Sequence, residues 1–104
     1  MIKSNIVLEN GKIKEFNVFG HANYAKKGED IVCAAVSSAI LVTANAIEHL
    51  GLSQTIDLTV KDGYFKLIVN KDNETVQKLL ENLEYTVVDL EKQYPKYIKN
   101  QKEG

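Results

Sequence analysis

A chain of 104 residues is the size of one domain, and 44% hydrophobic with 26% charged residues is an ordinary globular composition. A net charge of -1 and a pI near 6.1 exclude the basic excess of a general nucleic-acid binder, so no direct nucleic-acid contact is expected. The single cysteine, Cys33, cannot form an internal disulfide, which suits a reducing compartment.

The residues after Met1 lack the basic region and long apolar stretch of a secretory signal. The apolar stretch 31–50 is rich in Ala and Ser and carries Asn45, Glu48 and His49, so it reads as a buried helix and not a membrane span. The expected location is the cytoplasm.

Residues 2–8 and 13–19 are strand-like runs, and Asn10-Gly11 between them is the strongest short hairpin signal. Gly20 ends the second run, and a polar loop with Gly28 near its end follows over 21–29. Asp30 is placed to cap a helix over 31–50, with Gly51 as its stop. That helix is apolar or small on nearly every side, which implies burial on more than one face.

Ile56, Leu58 and Val60 then alternate with polar residues, predicting a strand with one buried face. Asp62-Gly63 turns the chain into a second alternating strand, 64–69, with Phe65, Leu67 and Val69 inward. Asp72 or Asn73 caps a last helix whose apolar stripe is Val76, Leu79, Leu80, Leu83, Val87 and Leu90. The polar, lysine-rich stretch 96–104 is expected to fray. The whole is an α+β, two-layer ββαββα domain, a sheet of about four strands with two helices packed on it.

Chemistry concentrates in 20–37. His21 sits at a strand exit and Cys33 in the first turn of the next helix, with a loop that lets the two meet. A thiolate is the nucleophile, and both a helix N-terminus and a nearby imidazolium favour it. The same helix-end amides, with amides of the loop, offer hydrogen bonds to an oxyanion. Against this, a lone Cys among Ala and Val is commonly a core residue, and His21 alone can simply end a strand. Asp30 is first an N-cap, with orientation of His21 or of a substrate amide as its functional alternative. Ser37 lies one turn beyond Cys33 on the same helical face, where a small side chain also permits close packing. Lys26, Lys27 and Tyr24 lie on the loop, Tyr24 either stacking on a substrate ring or packing down the loop itself. No metal site is expected, because His49 is at the far end of the helix from Cys33 and no CxxC or HxxxH spacing occurs.

The run Gly20-His21-Ala22, then Gly28, Asp30-Ile31-Val32-Cys33-Ala34-Ala35-Val36-Ser37, resembles the bacterial ribosomal-processing cysteine protease Prp family. The resemblance extends over the chain in length and element order. It implies Cys33 and His21 as the catalytic pair, Asp30 and Ser37 as supporting positions, and Gly20 and Gly28 as loop and hinge positions. It also implies a homodimer without cofactor. The implied reaction removes an N-terminal extension from large-subunit ribosomal protein twenty-seven, cutting after paired aromatic residues. Two other readings stay open at this point: a non-enzymatic, ribosome-associated dimeric binding protein, and a redox sensor acting through Cys33.

Overall fold

The first hairpin closes as the Asn-Gly signal predicts. Glu9 pairs with Lys12, and Asn10 and Gly11 between them take positive φ angles of 54° and 76°. The computed structural model describes residues 1–26 and 29–104. Strands β1 (Ile2–Glu9) and β2 (Lys12–Phe19) are followed by helix α1 (Ile31–His49), strands β3 (Ile56–Lys61) and β4 (Tyr64–Val69), helix α2 (Glu74–Gln93) and strand β5 (Ile98–Glu103). The α+β class holds, with a sheet of five strands in place of about four, in the order β3-β4-β2-β1-β5.

The added strand overturns the expectation of a frayed tail. β5 runs parallel to β1, from Ile2 opposite Ile98 to Val7 opposite Glu103. Its polar sequence hid it, because only Ile98 of its inward residues is apolar. Asn100 supplies the hold instead. It accepts from the buried Ser4 hydroxyl and donates to the Val87 carbonyl at 2.9 Å and to Glu91 at 2.8 Å. Lys102 adds an ion pair to Glu84 at 2.8 Å.

Both helices cover the sheet face formed by Ile2, Ile6, Phe16, Val18, Phe65, Leu67 and Val69. Asn73 caps α2 by accepting from the Val76 N–H, and Val76, Leu80, Leu83 and Val87 are its buried stripe. In α1 the buried residues recur at Val32, Val36, Ile40, Thr43 and Ile47, steps of three and four residues that turn one side to the core. By length and composition α1 is apolar enough to cross a membrane, yet this buried stripe is that of a core helix.

The side of α1 away from the core is open within the single chain, with Val42 exposed, which leaves it free for the second cover that its apolar composition implies. One expectation about burial needs correction. On β3, Leu58 and Val60 share the helix-side face with Leu67 and Phe65, but both are exposed. β3 is the edge strand, and neither helix reaches across to it. The alternation is there, but the cover is not.

Candidate active site

The end of the sheet where β2 leaves and α1 begins gathers the residues singled out above. A cleft of about 640 Å³ opens there, lined by His21, Cys33, Ser37, Leu41, Val60 and Gly63 among others. Its walls are α1 on one side and the β3–β4 turn on the other. Cys33, Asp30, Ser37, Gly20 and His21 all reach it. Gly28 and Lys27 lie outside the described residues, and the hinge expectation with them. His49 stands at the opposite end of α1, where its ring bonds the Asn45 carbonyl at 2.8 Å. Among the described residues no group of three His, Cys, Asp or Glu side chains is arranged to hold a metal ion.

Cys33 occupies the first turn of α1 because Asp30 stops the chain there. The Asp30 carboxylate accepts the N–H groups of Val32 and Cys33, each at 3.0 Å, through one oxygen, and that of Tyr24 at 3.0 Å through the other. The bond from the Cys33 N–H foremost, with that from Tyr24, holds its pKa below the ordinary carboxylate value against an opposing effect of burial. Asp30 thus ties the loop to the helix start, and its carboxylate engages amides of the loop and helix and not the His21 ring. It also engages the Val32 and Cys33 amides, two of those that the sequence offers to an oxyanion. Cys33 is half-buried, and its Sγ accepts the Ala22 N–H at 3.3 Å.

His21 is exposed on the other lip. Its ring lies against Gly63, the second residue of the β3–β4 turn, so closely that a methyl group on Gly63 would come within 2.6 Å of Nε2. The same turn fixes the backbone before His21, since Gly20 N–H donates to the Gly63 carbonyl at 2.9 Å. Gly20 itself has no room for a side chain, which would collide with the Met1 carbonyl. Ser37 is exposed one turn along α1 from Cys33 and lines the same cleft.

Tyr24 packs on a distant segment while staying partly open to solvent. Its ring meets Tyr97 edge-on at 5.1 Å and Tyr94 at 6.0 Å, so the loop is pinned to the segment between α2 and β5. That contact, and Gly63 under His21, were not foreseen. Asp62-Gly63 read only as a turn, and the tyrosines lie some seventy positions from the loop, with no local pattern to link them.

A thiol at a helix start and an imidazole across one cleft are the equipment of a hydrolase that works through a cysteine. A family model described as cysteine protease Prp matches residues 1–99. The ribosomal processing cysteine protease Prp of Bacillus subtilis is 35% identical over 95 residues, covering 88% of this chain and 85% of that protein. Its Staphylococcus aureus counterpart is 31% identical over 97 residues, covering 89% and 90%. The chain belongs to the cysteine protease Prp family and is a peptide hydrolase. Among solved structures, the S. aureus protease with a covalently linked product peptide superposes with a TM-score of 0.88 at 29% identity, covering 98% of this chain and 99% of that one. SMU.848 from Streptococcus mutans superposes at 0.78 with 26% identity, covering 100% and 96%.

Proposed function

We propose that this protease removes the N-terminal extension of large-subunit ribosomal protein twenty-seven, with Cys33 as nucleophile and His21 as general base and acid. The observation that carries this reading is the placement of Cys33 and His21 on facing lips of one cleft large enough for a peptide. The related S. aureus enzyme has been seen with a substrate peptide and with a covalently linked product peptide, which supports the same use here. The apolar part of the cleft, with Ile40, Leu41, Val60 and Phe65, suits bulky side chains beside the scissile bond.

In this mechanism His21 accepts the thiol proton and Cys33 attacks the scissile carbonyl. The sulfur lone pair becomes the S–C bond as the carbonyl π pair moves onto oxygen. Collapse breaks the C–N bond, and His21 returns the proton to the departing amine. Water then adds to the thioester with His21 as base, releasing the acid and restoring the thiol. Asp30 positions both the helix start and the loop after His21, through its bonds to Cys33 and Tyr24. Ser37 borders the site as a polar contact for substrate.

The protein works in this reading in the cytoplasm, as a homodimer and without contacting nucleic acid itself. The exposed apolar residue Val42 on the uncovered side of α1 supports a second copy packing there. The chain's net charge of -1 supports the last point.

The test is incubation with precursor protein and mass analysis of the product. Wild type is expected to yield one cut that removes the extension, while Cys33→Ala yields none and unfolds within a few degrees of wild type. Turnover by the alanine variant would remove the nucleophile assignment. An intact precursor with wild type would remove the substrate.

A further inference from the structure

The oxyanion of the reaction needs a donor, and the amides of Val32, Cys33 and Ala34 at the start of α1 are already engaged. Val32 and Cys33 N–H both bond Asp30 Oδ1 at 3.0 Å, and Ala34 N–H bonds the Asp30 carbonyl at 3.1 Å. An oxyanion placed there would have to displace a carboxylate and then sit beside its charge. A different amide, that of the residue following His21, faces the sulfur.

We propose that the backbone N–H of Ala22 is the donor that stabilises the oxyanion formed when Cys33 attacks a carbonyl. It points at Sγ from 3.3 Å. In the tetrahedral adduct the oxygen is bonded to the carbon that Sγ has just attached, so it lies within reach of a donor already aimed at that sulfur. As the S–C bond forms, negative charge leaves sulfur for oxygen, and the N–H follows it from one to the other. A long bond to sulfur becomes a charge-assisted bond to oxygen. The donor is therefore stronger in the transition state than in the ground state, as catalysis requires.

The peptide that carries this N–H is fixed beforehand. The Ala22 side chain is only 3% exposed. The His21 carbonyl, on the other edge of the same peptide plane, accepts from the Met1 nitrogen at 2.5 Å. Two residues on, the Tyr24 N–H is held by Asp30 Oδ2 at 3.0 Å. Bonds on both sides keep the amide from turning away, and a donor that need not reorganise is the effective kind. The arrangement also explains a small, buried residue directly after the base: a larger side chain would have to find room in the core or lift this peptide off the sulfur.

The inference rests on Cys33 being the nucleophile, and the test separates the two. The full chain is assembled by chemical ligation with Ala22→lactic acid, which turns the amide into an ester and removes only the N–H donor. Two reactions of Cys33 are compared: alkylation by iodoacetamide, which forms no oxyanion, and acylation by p-nitrophenyl acetate, which does. Acylation is expected to fall by about a hundredfold relative to any change in alkylation, the usual loss for one oxyanion donor. Equal losses in both reactions would overturn the proposal, since the N–H would then tune the sulfur alone. No loss in acylation would overturn it too. A wild type that alkylates but neither acylates nor cuts peptide would instead bring down the protease assignment of Cys33, and this proposal with it. Should the ester variant not fold, a peptide aldehyde is added to ¹⁵N-labelled wild type. The Ala22 amide proton is expected to move downfield most on adduct formation. A larger downfield shift at Val32 or Cys33, with Ala22 unmoved, would overturn the assignment.

Discussion

Gly63 offers a sharp test of the proposed role of His21, because a single methyl group there strikes the imidazole ring. The Cβ of alanine would sit 2.6 Å from His21 Nε2 and 2.9 Å from Cε1, where ordinary contact begins at 3.4 Å, so the ring must yield by about 0.8 Å. The cheapest relief is rotation of the exposed His21 side chain away from the turn. Backbone strain is a separate cost, since φ at Gly63 is +67°, and is about 1–2 kcal/mol for an L-residue there. Gly11→Ala isolates that cost: its φ is +76°, and nothing lies within 4 Å of the added methyl. Both variants should therefore lose similar stability, a few degrees of Tm. Only Gly63→Ala should lose turnover. A displacement near 1 Å costs on the order of a hundredfold, which is about 2.7 kcal/mol of transition-state stabilisation. Precursor cleavage by quenched-flow mass analysis, corrected for the folded fraction, reads the difference. Equal kcat/KM for the two variants would refute the positioning of His21 by this turn.

Asp30 should give acid-sensitive stability. Its folded pKa lies below the ordinary 3.8, so its contribution is complete above that value and disappears as pH falls through the folded one. The Tm gap between wild type and Asp30→Asn should be flat above about pH 5 and narrow below about pH 4, and a gap indifferent to pH would refute the charge's role. Asn100→Ala should cost about 2–4 kcal/mol in urea unfolding, because it strands the buried Ser4 hydroxyl and the Val87 carbonyl. A loss under about 0.5 kcal/mol would mean that β5 is held by its ladder alone. Val42→Asp, at a position 69% exposed, should reduce the sedimenting mass from two chains to one without lowering helicity. A wild type that sediments as one chain at micromolar concentration would remove the dimer.

The local signals in this sequence were strong where chemistry and geometry sit within a few residues of each other. Asn10-Gly11 closed its hairpin, Asn73 capped α2, and Asp30 stopped the loop three residues before Cys33. The same locality brought His21 and Cys33 to one cleft, because a strand end and a helix start joined by a short loop have little choice. What escaped was held by distant partners. β5 is fixed by Asn100, a polar residue doing what an apolar one usually does, so no periodicity betrays it. The exposure of Leu58 and Val60 depends on how far the helices reach, which alternation does not encode. The Ala22 amide has no side-chain signature at all, and only the fold reveals that it meets Sγ.

The pairing of β1 with β5 also sets a time of assembly. Ile2 N–H bonds the Tyr97 carbonyl at 2.8 Å, and the first strand lies beside the last in parallel register. Such a ladder closes nearly the whole chain into one loop, a contact that forms late and slowly. Synthesis proceeds from the N-terminus at roughly 5–20 residues per second, so His21 and Cys33 exist for seconds before residues 98–103 are made. During that interval β1 has no outer neighbour, and Tyr24 has neither Tyr94 nor Tyr97 to rest on. The nascent chain therefore carries His21 and Cys33 for seconds before the outer strand, and the tyrosines that brace the loop between them, exist.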